Sequence, residues 1–501
     1  MQVEVSLAAG LPAFCIVGLP ATVVKESKER VRAALLNSRF EFPAGRITVN
    51  LAPAELPKEG GRFDLPIALG ILIASRQVAV AACGAGAACG REFYGELGLT
   101  GELKPVRGML LAAAHARAAG HELIVPRGNA AEACAVAPSL TCAADHLLEV
   151  CGHVSGTVPL SPPAAQRPRA AGAPGSLGDL ADVRGQLQAK RALLIAAAGA
   201  HSLLLVGPPG CGKSMLAQRL PGLLPPLAES EALEVAAIAA VSAAGFAPER
   251  FGERPFRAPH HSASPAALVG GGAHARPGEI SLAHLGVLFL DELPEFARGV
   301  LEALREPLES GAVAVSRAAL QAHYPAAFQL IAAMNPCPCG RLGDPSADCR
   351  CTPAQVQRYR ARISGPLLDR LDLQVEVPRL DLREFDGAAR ADSSAAAAAR
   401  VAQARRVQLA RQGSCNARLS DAGVQRWCTP DASGRSLLES VVQRLGFSGR
   451  ARQRVLRVAR TIADLDGAHT PGAAHVGEAL ALRCMDRGAT APSAPCDRRP
   501  A

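Results

Sequence analysis

Three short runs in the middle of the chain, Leu203-Leu204-Leu205-Val206, Val287-Leu288-Phe289-Leu290 and Leu330-Ile331-Ala332-Ala333-Met334, are apolar at every position. Uninterrupted runs of this length predict strands buried on both faces, as at the centre of a parallel sheet. Helical patterns separate them, so residues 181–380 are expected to form an α/β domain with helices on the faces of the sheet. The first 154 residues read differently. Val3, Val5 and Leu7 alternate with polar or small neighbours, Glu26 to Asn37 reads as a helix and Arg46 to Leu51 as a second strand, which points to an α+β unit over 1–154. Residues 155–180, rich in Pro, Ala and Gly without apolar periodicity, read as a linker. Residues 381–487 carry only helical signals, including the Ala-rich stretch Ala395 to Ala404, and predict a helical lid domain; the polar residues 488–501 read as a disordered tail.

Composition narrows the class. A chain of 501 residues that is 49% hydrophobic and 20% charged describes a globular protein of two or three domains. The formal charge of +9 comes almost wholly from arginine, which suits a phosphate-rich partner and equally suits a GC-rich genome. Aromatics are 3%, too few for a base-stacking platform, so contact with nucleic acid would be to the backbone and sensitive to salt. The longest apolar run, Ala192 to Val206, is broken by Gly199 and His201, and predicts a helix and a strand rather than a membrane span. With no export pattern ahead of the first unit, a reducing cytoplasmic location is expected. Most of the 15 cysteines stand singly in Ala-rich stretches, as small buried hydrophobes.

Each of the three central runs ends in residues with a chemistry. After Val206 comes Gly207-Pro208-Pro209-Gly210-Cys211-Gly212-Lys213-Ser214, followed by Met215 and a helical pattern. Glycines between a strand and a helix let backbone N–H groups turn inward around a phosphate, Lys213 reaches the β/γ oxygens, and Ser214 offers a hydroxyl to Mg²⁺. This predicts a nucleotide site, with Cys211 a small residue tolerated in the loop. The second run ends in Asp291 and Glu292, the first to hold the Mg²⁺ shell and the second to polarise the attacking water. The third ends in Asn335, whose amide can orient the same water. Just beyond it, Cys337, Cys339, Cys349 and Cys351 place four thiols within fifteen residues, a set able to wrap a tetrahedral structural Zn²⁺. The Cys-x-Cys spacing is tighter than the usual Cys-x₂-Cys, and a free-thiol loop is the alternative. His260-His261 is a further polar pair, to which no metal is assigned.

Loop, Asp-Glu strand and Asn strand in that order, followed by Ser364-Gly365-Pro366-Leu367-Leu368-Asp369-Arg370-Leu371-Asp372, resemble the YifB/ComM family of magnesium-chelatase-like AAA+ ATPases. The resemblance extends to Gly18-Leu19-Pro20, Asn50 to Ala54, Leu56 to Pro66, Phe256 to His261, Arg276 to Ser281 and Ala459 to Leu465. It implies an AAA+ phosphate-loop sheet with a helical lid, preceded by a Lon protease-like domain. It also implies a homo-oligomeric ring of six subunits that hydrolyses ATP at subunit interfaces. In such rings Arg370 matches the finger that enters the neighbour's site, and Arg450 the lid arginine that senses the γ-phosphate, with Arg452 a close competitor. The ComM-type members are similar to DNA helicases that drive branch migration in natural transformation, which implies single-stranded and branched DNA as partners. The segment Arg257 to Arg276 and the hairpin-like Gly311 to Tyr324, with Arg317, are the pore candidates.

Two rivals accompany that reading. Against the Lon-type protease pattern, Arg62 stands where the nucleophilic serine belongs and Leu110 where the lysine belongs, and neither can do that chemistry. A true magnesium-chelatase motor normally lacks both the Lon-like domain and the cysteine cluster. The family pattern also carries a segment ahead of the strand that begins at Gln2, so a start upstream of Met1, or a truncation, is expected.

Overall fold

Alternation along Val3, Val5 and Leu7 becomes strand β1 (Gln2–Ala8), in which every second residue is half-buried. The structure, a computed structural model, describes residues 1–19, 21–55, 58, 60–81, 90–163, 178–272, 275–317, 320–344, 348–379 and 393–487. Most of the expected linker, the first residues of the expected lid and the whole tail lie outside these, as do Pro20, Leu56, Pro57 and Glu59 of the family motifs. The chain divides into two compact units, one of Met1–Ala170 with Ala232–Phe251, the other of Ala171–Glu231 with Gly252–Ala501.

In the first unit, β2 (Ala13–Val17) and helix α1 (Thr22–Asn37) precede β3 (Arg46–Ala52), which pairs antiparallel with β1 and parallel with β2. Ile47, Val49 and Leu51 of β3 are fully buried, in one core with α2 (Asp64–Ala74), a helix apolar on nearly every side. Arg30 clamps the buried Asp64 carboxylate with bonds of 2.7 and 3.1 Å, and Leu97 N–H donates to it at 3.2 Å, so this motif acid is structural. A second sheet follows, wholly parallel, of β4 (Arg91–Phe93), β5 (Glu122–Pro126) and β6 (Thr141–Ala144). Residues 232–251 are a correction to the domain boundaries expected from sequence. They fall within 181–380, yet Ala236 packs with Met109, Leu110, Ala113 and Ala116 of the first unit. An apolar helical stripe states that it needs a partner without stating which one.

The second unit holds α3 (Leu187–Gly199), β7 (Leu203–Val206), α4 (Lys213–Arg219), β8 (Phe256–Arg257), β9 (Val287–Leu290), the hairpin β10 (Ala312–Arg317) and β11 (Leu320–Pro325), β12 (Gln329–Met334), β13 (Leu373–Glu376), α5 (Ser394–Gln412) and α6 (Gly449–Leu465). Five strands form a wholly parallel sheet in the order β8-β9-β12-β7-β13. The unbroken apolar runs now have their reason. Leu203, Leu205, Phe289, Ile331 and Ala333 point into a core with α3 and the C-terminal helices, whereas Leu204, Val206, Leu288, Leu290, Leu330 and Ala332 point into a second core on the other face. The C-terminal helices, expected as a domain of their own, share the first of these cores through Ala397, Val401, Val455, Ala459 and Ile462. Among the described residues no helix is long and apolar enough to cross a membrane.

Candidate nucleotide site

Where β7 ends, Gly207 N–H donates to Met334 O of β12 at 3.1 Å, and a Cβ on Gly207 would lie 2.2 Å from Val377 O. Only glycine fits there. Gly210 (φ 78°) and Gly212 (φ 93°) take left-handed backbone to curl the loop, and Lys213 opens α4. Lys213 is buried, its Nζ donating to Gly207 O at 2.7 Å and Pro208 O at 2.8 Å, and it lies 3.3 Å from Asn335 Oδ1. Ser214 Oγ donates to Asp291 Oδ2 at 2.5 Å. These residues, with Met215 and Glu292, line a cleft of about 340 Å³ at the carboxyl ends of β7, β9 and β12. A hydroxyl and a carboxylate converging on one point are the oxygen donors that Mg²⁺ takes, and the turned-in loop with its lysine fits a polyphosphate, so ATP with Mg²⁺ matches this donor set. Burial pushes the Cys211 thiol up, which keeps it protonated inside the loop.

Glu292 occupies the left-handed region (φ 52°), its N–H donating to Asp291 Oδ1 at 2.9 Å. Its carboxylate is half-exposed, and His261 Nδ1 lies 3.3 Å from its Oε2. His260 packs on His261 with ring centroids 4.0 Å apart. The pair carries no metal assignment in sequence, and nothing in the spacing links His261 to a residue 31 positions on. Arg257, a pore candidate, instead forks onto Glu279 with bonds of 2.6 and 2.7 Å, so two motif stretches are joined by an ion pair. A Cβ on Gly278 would lie 2.4 Å from both Gly270 N and Leu268 O, which accounts for the glycine between them. The pairing Gly270–Gly271 with Arg276–Pro277 packs against β10, and Tyr324 Oη donates to Ala275 O at 2.9 Å, so this hairpin and the β10–β11 hairpin form one device. The Arg317 side chain lies outside what the structure describes.

Arg370 and Arg450 are not brought to this cleft. Ser202, just before β7, donates from Oγ to Arg370 O at 2.7 Å, which puts Arg370 at the amino end of the sheet. Five residue steps separate Ser202 from Gly207, about 16 Å of strand. Its guanidinium is buried, donates to Pro366 O at 2.6 Å, pairs with Glu309, and leaves Nε without a partner among the described residues. Around it, Asp372 takes Arg454 at 2.6 Å and His201 at 3.3 Å, while His201 reaches Thr461 at 2.8 Å. Burial alone would raise the Asp372 carboxyl, but His201 and Arg454 hold it well below the usual carboxylate range. Arg450, at the start of α6, is exposed and lines no part of the cleft.

The cysteine cluster adjoins the cleft. Cys337 Sγ lies 3.4 Å from Cys339 Sγ and 3.7 Å from Cys349 Sγ, Cys339 and Cys349 are 3.7 Å apart, and all four sulfurs fall within 4.8 Å of one another. A Zn²⁺ with bonds of about 2.3 Å needs tetrahedral S···S edges of about 3.8 Å, so the set fits. The first unit holds a second ligand-like group, Glu122, Cys142 and His153. There His153 Nδ1 accepts the Leu160 N–H at 3.0 Å, so the neutral ring carries its proton on Nε2, which faces Glu122 at 3.1 Å, and no lone pair remains for a metal.

Known proteins resemble the chain over nearly its whole length. Residues 179–385 match the family described as "Magnesium chelatase, subunit ChlI", residues 3–129 "Subunit ChlI of Mg-chelatase", and residues 391–483 "Magnesium chelatase, subunit ChlI C-terminal". The chain is 50% identical over 489 residues to the uncharacterized protein YifB of Salmonella typhimurium, covering 97% of this chain and 94% of that one. It is 48% identical over 490 residues to the competence protein ComM of Haemophilus influenzae, covering 97% and 95%. Identity to the uncharacterized protein YifB of Escherichia coli is 48% over 493 residues, covering 97% and 94%.

Proposed function

The chain belongs to the YifB/ComM family of magnesium-chelatase-like proteins, and from that premise we propose that it is a cytoplasmic ATP-hydrolysing ring motor, most simply a hexamer, that works on single-stranded and branched DNA. The observation that carries the hydrolytic part is the meeting of Lys213, Ser214, Asp291, Glu292 and Asn335 in one cleft. Lys213 holds the β/γ-phosphates, Ser214 and Asp291 hold Mg²⁺, Glu292 takes the proton of the attacking water, and Asn335 orients that water. The five groups stand beyond the ends of three neighbouring strands, Lys213 and Ser214 after β7, Asp291 and Glu292 after β9 and Asn335 after β12, so the geometry is set before nucleotide arrives.

Arg370 supplies the remaining positive charge to the next subunit, where a guanidinium stabilises the transferring phosphoryl group. Arg450, exposed one turn before Arg454 on α6, senses the γ-phosphate of a neighbouring subunit's nucleotide rather than of its own. The two packed hairpins are the DNA-facing elements, and gripping phosphates gives contact that is insensitive to sequence and sensitive to salt. The competence-protein relative and the basic charge of the chain favour this reading. The first unit is a Lon-like binding or assembly module without proteolysis: Leu110 is buried and Arg62 donates to Arg107 O at 3.2 Å.

The test is the ATPase rate of the purified chain with no partner, with single-stranded, duplex or branched DNA, and with an unfolded polypeptide. The account expects stimulation by single-stranded or branched DNA, lost as salt rises. Stimulation by polypeptide alone would make it a protein-remodelling motor, and indifference to both would favour a chelatase-type motor.

A further inference from the structure

The loop that follows Asn335 does more than carry thiols past the nucleotide cleft. Cys337 stands two residues after Asn335 and is fully buried, so whatever fixes its sulfur also fixes the end of β12. Gly340, three residues on, takes left-handed backbone (φ 78°) and packs on the phosphate loop so closely that a Cβ there would lie 2.7 Å from Pro209 Cδ and 3.8 Å from Asn335 Cγ. From the far side, Arg360 Nε donates to Pro336 O at 3.3 Å. One short segment therefore touches both the loop that holds phosphate and the amide that faces it.

We infer that Cys337, Cys339, Cys349 and Cys351 bind one Zn²⁺ ion, and that this ion braces Pro209 and Asn335 in the geometry that ATP turnover needs. Four sulfurs within 4.8 Å of one another form a closed tetrahedral shell with no position left for water or substrate, which makes the site structural. Backbone amides of Arg341 and Arg350 point at Cys339, the kind of hydrogen bond that supports a metal thiolate from outside its ligand shell. Four thiolates on one Zn²⁺ leave two net negative charges, and the neighbouring hollow of about 520 Å³ is lined by Arg350 and Arg358, which offset them, and by Arg362, which pairs with Glu295 at 2.8 Å. Without the ion, four crowded thiols have no attraction to hold them and the segment over Pro209 loses its anchor.

The bracing role rests on the nucleotide reading above, whereas metal binding does not, and the experiment separates them. Full-length protein from zinc-replete cells is analysed for metal, stripped with a competing chelator, and reloaded with Zn²⁺ or Co²⁺. The expected results are one zinc per chain, the visible spectrum of tetrahedral cobalt tetrathiolate, and about tenfold lower ATP turnover in stripped protein, restored by Zn²⁺ and not by extra Mg²⁺. Lys213→Ala should lose turnover and keep its zinc. Gly340→Ala, which leaves all four thiols in place, should also keep its zinc while raising KM for ATP by about threefold or more. Protein without zinc and without a tetrathiolate spectrum would overturn the site. Stripped protein and Gly340→Ala that both turn over ATP as the untreated protein does would overturn the brace.

Discussion

At the carboxyl end of the parallel sheet, polar side chains meet across an open cleft; at its amino end they are sealed inside. Glu292 is 52% exposed, Ser214 donates to Asp291, and Lys213 reaches Gly207 O, Pro208 O and Asn335, in the positions that Mg²⁺ and phosphate would take. By contrast Arg370 is 8% exposed, Asp372 7% and His201 0%; Asp372 pairs with His201 and Arg454, and the Arg370 guanidinium with Pro366 O and Glu309. The open end is arranged to receive a ligand, and the closed end to fix one buried arginine in place. Since about 16 Å of strand divides the two ends, the proposed role of Arg370 is toward a nucleotide other than its own chain's.

That contrast can be broken first at the open end. Lys213→Ala should abolish ATP turnover, by about 10³-fold or more, with folding intact by circular dichroism. At the closed end, Arg370→Ala should lower kcat by about 10³-fold while nucleotide Kd, read by fluorescent-nucleotide titration, stays near that of the unmodified chain. A Kd that weakened in step with kcat would place Arg370 in its own chain's cleft. The seal itself is tested by Asp372→Ala, which leaves the Arg454 and His201 groups without their acid and should cost about 3 kcal/mol in denaturant unfolding. Because the folded carboxyl sits below its unfolded value, its contribution is full above about pH 4 and is lost as pH falls further; the variant should lack that acid-side loss of stability. The smallest effect is expected for His261→Ala, about tenfold in kcat with KM unchanged, since the ring only steadies the Glu292 carboxylate. His261→Gln, which keeps an N–H donor, should recover most of that loss.

How much of this was legible in the chain follows from what each signal encodes. Runs such as Leu203 to Val206 carry their own burial on both faces, and the polar residue that ends each run inherits its position, so Lys213, Asp291 and Asn335 could be read together. The four thiols could be read because their ligand geometry is local. Partnerships made by long-range folding left no such trace. Arg257 reads in sequence as the start of a pore candidate, yet it pairs with Glu279, and His261, given no role by its spacing, lies beside Glu292. The helix Glu229–Ala240 has an apolar stripe in sequence, but its partner was settled by packing on the first unit rather than by its neighbours along the chain.

The most direct test of the central claim mixes two inactive proteins, Lys213→Ala and Arg370→Ala, over a range of ratios and follows ATP turnover. A Lys213→Ala subunit still presents Arg370 to the intact cleft of its Arg370→Ala neighbour, so the account predicts activity that rises and falls with the mixing ratio. Mixed rings with no turnover at any ratio, once subunit exchange has been verified, would contradict it.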